Sequence, residues 1–344
     1  MLNSIRRLLV RMALVVGPIL GLAPTAAYAI CDVDYVVQGG DNLFSIAEAH
    51  YGGRDRWSLI YYRNQSELVG SSVIPGRKLY IPCPPEDNTP DATPLQKADA
   101  ELTLLTGNGV GPFTNKSLPG QGMVTELVNA ALELSPSPVS YAINWDDTWS
   151  GHLPKLGKQE FDMGFPWTKP DCAAQPDHER CTSFHFSDPL VSIPVMLFVR
   201  DDQQFPFAKD ADIEGKTLCR PSDQFVSDLE RAGRRWLSDG KIDLIQPETA
   251  VQCFELLQQG KVDAVSVDLF LGASTIVDLN LREKVVPLEQ PVGETSLHVV
   301  ISKRHWRGTS HLYRVNAGLQ SLRDSGRFEE IMSRHLELFW AQLQ

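Results

Sequence analysis

The feature that most constrains this chain is a break in it. Residues 84–94 read Pro-Pro-Glu-Asp-Asn-Thr-Pro-Asp-Ala-Thr-Pro, with four prolines and no large apolar side chain. Such a stretch has no apolar surface to bury and holds itself extended, so residues 84–99 are expected to be a linker. The sequence on either side must therefore fold for itself. The N-terminal side is short. The C-terminal side, roughly 245 residues, is long enough for two lobes joined by a hinge.

The chain opens with Arg6, Arg7 and Arg11, an apolar run from Met12 to Ala23, and Ala27-Tyr28-Ala29, with no acidic residue before Cys31. A cationic flank, a short apolar run and an A-x-A site form a secretory leader. The run is too short to span a bilayer and contains Pro18. Residues 1–29 are expected to be a signal peptide cleaved near Ala29, and the mature protein to be periplasmic. Loss of the three arginines takes the formal charge from −11 to −14. An acidic protein without a basic stripe has no long-range attraction for nucleic acid. The apolar fraction of 42% excludes wholesale disorder.

Six cysteines, Cys31, Cys83, Cys172, Cys181, Cys219 and Cys253, read as disulfides in an exported chain. Sequence-adjacent pairing is favoured because each pair then falls within one structural unit. No C-x-x-C occurs and no histidine has ligand spacing to a cysteine, so no metal and no cofactor is expected.

Residues 30–83 carry the order strand, helix, helix, strand. Asp34–Gln38 is β-rich, and Gly39-Gly40 turns the chain. Asp41 stands as helix N-cap, Gly52-Gly53 ends that helix, Trp57 to Asn64 forms a second one, and Pro75-Gly76 leads into Lys78–Pro82. The phrases Tyr35-Val-Val-Gln-Gly-Gly-Asp-Asn-Leu-Phe-Ser-Ile-Ala47, Tyr51-Gly52, Trp57, Ile60-Tyr61, Asn64 and Ile74–Pro82 resemble the LysM family. The resemblance implies binding of N-acetylglucosamine-containing glycan, hence peptidoglycan, in a groove formed by Gly40, Asp41, Asn42, Leu43, Ile74, Pro75 and Gly76. It also implies adjacent antiparallel strands that a Cys31–Cys83 bridge would staple.

From Glu101 the pattern is α/β. Strands are expected at Leu102–Leu105, Val139–Ile143, Val191–Val199, Lys216–Cys219, Val262–Val267 and Val299–Ile301, and helices at 123–134 and 250–257. That alternation implies mainly parallel sheets. Gly111-Pro-Phe113, Leu153 to Met163, Phe186-Ser-Asp-Pro-Leu190, Ile213-Glu-Gly-Lys216, Gly260–Val265 with Asp268, and Val315 to Ile331 follow in an order and spacing that resemble the family 3 extracellular solute-binding proteins, of type II periplasmic-binding fold. The resemblance implies a domain over 100–344, with lobe 1 at about 100–195 and 296–344 and lobe 2 at about 196–295.

By that resemblance, Phe113, Trp145 and Trp167 wall the ligand site and Thr168 supplies a hydroxyl. Arg220 and Ser222 present a second-lobe helix terminus, and Asp268 accepts from an ammonium group. Amino-acid-binding members carry an arginine just after the Thr-rich segment, whereas this chain reads Thr168-Lys-Pro-Asp-Cys172. Lys169 or Arg220 is left to supply the charge, though lysine lacks the fork geometry. Asp146-Asp147 and Glu329-Glu330 are adjacent acids that do not face each other across a site, and no nucleophile motif stands beside a histidine, so no catalytic residue is assigned. The expected function is a monomeric, wall-attached binder of a small polar, amino-acid-like solute, working with an ABC permease. Two alternatives remain open: a sensor or scaffold accessory to a cell-wall or quinoprotein dehydrogenase system, and an enzyme acting on peptidoglycan or a small acid.

Overall fold

The structure, a computed structural model, describes residues 30–68, 72–83 and 100–343. The leader expected at 1–29 and the linker expected at 84–99 lie outside the described residues.

The N-terminal unit runs β1 (Val33–Val36), α1 (Leu43–Tyr51), α2 (Trp57–Arg63) and β2 (Lys78–Ile81), and β1 pairs antiparallel with β2 from Val33↔Ile81 to Val36↔Lys78. The order is the one the sequence predicts. The cap is one residue later: Asn42 accepts from the Ser45 amide in a capping box, while Asp41 accepts from the Tyr35 hydroxyl at 2.6 Å and the Gln38 amide at 2.7 Å. Either side chain can cap, and Asp41 is drawn back by Tyr35. Buried Asn64 joins helix to strand, donating to the carbonyls of Ile60 and Tyr80 and accepting from the Tyr80 amide, each at 2.7 Å. Cys31–Cys83, Cys172–Cys181 and Cys219–Cys253 are all bridged, the sequence-adjacent pairing.

The body begins with β3 (Leu102–Thr106), α3 (Met123–Glu133), β4 (Tyr141–Trp145), α4 (His152–Gly157), β5 (Met163–Thr168), α5 (Glu179–Ser183) and β6 (Phe184–Phe186). The long strand β7 (Val191–Arg200) leads to β8 (Lys216–Cys219), α6 (Ser227–Glu230), β9 (Ile242–Ile245), α7 (Ala250–Gln258), β10 (Ala264–Asp268), α8 (Leu269–Asp278) and β11 (Val285–Pro287). A second long strand, β12 (Gly293–Ser302), returns to α9 (Gly308–Asp324) and α10 (Arg327–Gln342).

The strands form one sheet in the order β4-β3-β5-β12-β7-β10-β8-β9. Pairs β3/β4, β3/β5, β8/β9 and β8/β10 are parallel, as helical crossovers require. The centre departs from the mainly parallel expectation: β12 runs antiparallel to both β5 and β7, and β10 antiparallel to β7. Two strands that carry the chain out of one half of the molecule and back must run in opposite directions, and these two do.

Close helix packing locks the first half. A Cβ on Gly318 would lie 1.8 Å from the Ala131 carbonyl oxygen, so α9 reaches α3 only because residue 318 has no side chain. Buried Glu126 of α3 pairs with Arg334 and, at 2.8 Å, with His335 of α10. Burial pushes its carboxyl up, but the contacts from His335 and Arg334 outweigh it and hold the group below its usual range.

Candidate functional site

Two strand ends from opposite halves meet at the crossing strands. Thr168, the last residue of β5, is in register with Leu297, which is opposite Val191; Asp268, the last of β10, is opposite Val195. Val191 and Val195 are separated by four strand steps, about 13 Å.

Arg180, on α5, reaches the end of β5. Residues 169–179 leave the sheet as an excursion, and the Cys172–Cys181 bridge folds it back on itself. The guanidinium then donates to the Thr168 hydroxyl at 2.9 Å and its carbonyl at 3.2 Å. It lies 5.0 Å from the Trp167 ring in one half and 5.4 Å from the Phe225 ring in the other. His178 also reaches across, its ring 5.6 Å from Phe225. Burial pushes the Arg180 guanidinium below its ordinary value, opposed by the Glu179 charge; an arginine stays protonated regardless. Among the described residues no carboxylate pairs with it. Beside it, the buried Trp167 indole N–H has no hydrogen-bond partner. A desolvated cation and an unpaired donor that share one wall are prepared for an acceptor-rich anion.

The aromatic wall is larger than the sequence indicated. Trp149 stands 5.8 Å from Trp167, edge to face, and donates through its indole to the Asn108 carbonyl at 2.9 Å. Phe113 is buried against Phe270 at 5.2 Å, at the start of α8. Trp145, half-buried at the end of β4, instead faces the Lys116 ammonium at 5.4 Å. Lys169 is exposed, its ammonium 6.0 Å from the Phe186 ring.

Arg220 has a different situation. It is 1% exposed, and five hydrogen bonds engage it: two to the Asp228 carboxylate, one to the Phe225 carbonyl, and two to the carbonyl and hydroxyl of Ser266. Five donors meet five acceptors, so none is left for a solute. Arg220 therefore has no donor left for the role of charge supplier expected of it. Ser222 is exposed, with its amide on the Pro247 carbonyl. Asp268 caps α8, both amides going to Oδ1 at 3.1 and 3.0 Å. Burial pushes its carboxyl up, with the Leu271 and Phe270 amides opposing.

In the N-terminal unit, the loops expected to hold glycan lie side by side. The Gly76 amide donates to the Val37 carbonyl, and Gly40 and Gly76 both take left-handed φ, 96° and 84°. Asn42 and Leu43 turn toward the body: Asn42 donates to Glu289 at 3.0 Å, and Leu43 is buried facing Pro194, Met196 and Pro291. Arg54 pairs with Glu289 at 2.9 Å, and Ser72 donates to Gln290 at 3.3 Å. The unit thus rests where β7 starts and just ahead of β12.

One further cluster has the composition of a metal site. Asp162, His305 and His311 place their ligand atoms within 4.8 Å of one another. However, Nδ1 of His305 accepts from the Arg307 amide and Nδ1 of His311 from the Arg314 guanidinium, both at 3.1 Å. That puts the protons on Nε2, the atoms that face Asp162, where a cation needs bare nitrogen. Burial pushes His311 down to about 4, so it stays neutral. Asp162 and His305, 2.9 Å apart, tie the start of β5 to the turn before α9, with His311 of α9 beside them.

No family model matches the sequence, and no curated protein matches it. Solved structures do. The GluR0 ligand-binding core in complex with L-glutamate aligns over 72% of this chain and 100% of its own, at 18% identity and a TM-score of 0.50. A histidine kinase sensor domain with similarity to periplasmic binding proteins aligns over 68% of this chain and 94% of its own, at 20% identity and a TM-score of 0.50. The body has the two-lobed periplasmic-binding fold. No helix among the described residues is long and apolar enough to cross a membrane.

Proposed function

We propose that this protein is a periplasmic solute-binding protein whose lobes close over a small carboxylate-bearing solute, with an α-amino acid as the leading class. Arg180 carries the reading. It is a desolvated guanidinium in the cleft, clasped by Thr168, Trp167 and Phe225 and lacking a carboxylate partner among the described residues. A bidentate carboxylate supplies what it lacks. Asp268 Oδ2 is the ammonium acceptor at the other strand end, and Phe113 with the Trp149–Trp167 pair forms the apolar wall. Residues 30–83 act as a LysM-type glycan holder, with Gly40, Asp41, Ile74, Pro75 and Gly76 as the accessible part of its groove. Residues 1–29 act as the leader, and an ABC permease is the expected recipient of the solute.

A second reading, sensing instead of uptake, is favoured by one observation. The N-terminal unit touches Glu289, Gln290, Pro194 and Met196 at the hinge, so wall attachment and lobe closure share a contact surface.

Isothermal titration against amino acids, dicarboxylates, amines and sugars tests the proposal. Carboxylate-bearing solutes bind the wild-type protein, and Arg180→Ala weakens them about a hundredfold, close to the worth of a desolvated bidentate pair. Tight binding of uncharged sugars or amines that is indifferent to Arg180→Ala overturns it.

A further inference from the structure

Charge is unevenly distributed along this acidic chain. Between Glu294 and Asp324 lie 29 residues without one acid, where an even spread of the 43 acids over 344 residues places about four. The same stretch holds Lys303, Arg304, Arg307, Arg314 and Arg323. Among the described residues none of these five is in an ion pair. Lys303 donates to the Cys181 carbonyl, and the Arg307 guanidinium lies 4.2 Å over the Trp306 ring.

The most exposed aromatic side chains of the described molecule are in this stretch: Trp306 at 78% and Tyr313 at 67%. Tyr313 stands on α9, and Trp306 in the turn two residues ahead of that helix. Pro136 and Ser137 border the same surface beside Tyr313 and Arg314. β12 passes Thr168 at Leu297 and ends at Ser302, five steps or roughly 17 Å further on. Lys303, just beyond that end, reaches the carbonyl of Cys181, the residue after Arg180.

We propose that Lys303, Arg304, Trp306, Arg307 and Tyr313 form a docking surface for a membrane leaflet rich in anionic phospholipid headgroups. Tryptophan and tyrosine favour the membrane–water interface, where the ring is half in hydrocarbon and its polar tip stays hydrated. Unpaired guanidinium and ammonium groups beside them meet lipid phosphates at short range. The acids elsewhere on the protein do not cancel this attraction, because charges beyond the Debye length of about 8 Å are screened at physiological ionic strength.

Vesicle co-sedimentation tests the surface, using the chain from Ile30 onward, which contains every described element and omits the apolar leader. The protein binds equimolar phosphatidylcholine–phosphatidylglycerol vesicles and leaves phosphatidylcholine vesicles unbound, and added salt weakens binding. Arg304→Glu with Arg307→Glu, and separately Trp306→Ala, each weaken binding more than tenfold with melting unchanged. Lys209→Glu with Lys261→Glu, an equal charge change at exposed sites elsewhere, does not. Equal loss in the two charge-reversal pairs, equal binding to both vesicle types, or no vesicle binding overturns the proposal. Capture by immobilised poly-glutamate without vesicle binding also overturns it and assigns the surface to an acidic protein.

Discussion

Arg180 on α5 and Arg220 just after β8 both touch Phe225, and their surroundings could hardly differ more. Arg220 is held at five points by Asp228, Ser266 and Phe225. Arg180 has one residue's oxygens, those of Thr168, and two aromatic faces. The difference teaches how to tell a structural cation from a receptive one: count which donors the fold already satisfies. An arginine whose fork is filled holds its own loop in place. One whose fork is partly empty, in a desolvated position, has a partner that comes from outside.

The largest effect that can break this comparison is on stability. Arg220→Ala leaves the Asp228 carboxylate without its guanidinium and should cost about 3–5 kcal/mol, as removal of one member of a buried pair does. Arg180→Ala should move the midpoint of denaturant unfolding by far less while abolishing tight solute binding. If the two variants lose equal stability, Arg180 is structural too.

A smaller effect concerns how Arg180 is delivered. Replacing Cys172 and Cys181 together with serine frees the 169–179 excursion, so Arg180 must be ordered on binding. Titration calorimetry should show affinity for a carboxylate solute down about tenfold, between wild type and Arg180→Ala, because loop ordering opposes binding. Unchanged affinity would mean that the aromatic faces position the guanidinium without the bridge.

The smallest effect sharpens the division of labour between the lobes and appears only with pH. Burial raises the Asp268 carboxyl above its usual range, so it takes up a proton at a higher pH than a solvated aspartate does. An ammonium needs the ionised form. Affinity for an amino acid should therefore fall as pH is lowered toward the raised value, while affinity for the matching acid without an amino group holds or rises. Parallel decline of both ligands, measured by titration from neutral to mildly acidic pH, would remove Asp268 from the site.

Local rules made the N-terminal unit readable. Its turn glycines, caps and alternating strands are short-range signals, and even the displaced cap moved by a single residue. The body's strand and helix order was equally legible from periodicity, and the cysteine pairing followed from which residues share a unit. Arg180 stands well beyond the segment just after Thr168 where an arginine was expected. Twelve positions separate the two residues in sequence, and the one available signal was the Cys172 and Cys181 pair, whose bridge closes that distance. Trp149 and Phe225 carried no signal, since an aromatic in a loop reads alike whether it lines a cleft or a core.

What the sequence determined by itself is the parts: a small βααβ unit, an α/β body and three disulfides, because each rests on neighbours within a few turns or one structural unit. What only the tertiary structure decided is which charge is free. Whether an arginine has its donors filled depends on carbonyls and carboxylates that arrive from other strands. Ser266 reaches Arg220 from β10, and no carboxylate among the described residues reaches Arg180. Hydrogen-bond satisfaction is a property of the folded neighbourhood, and residue type alone does not contain it.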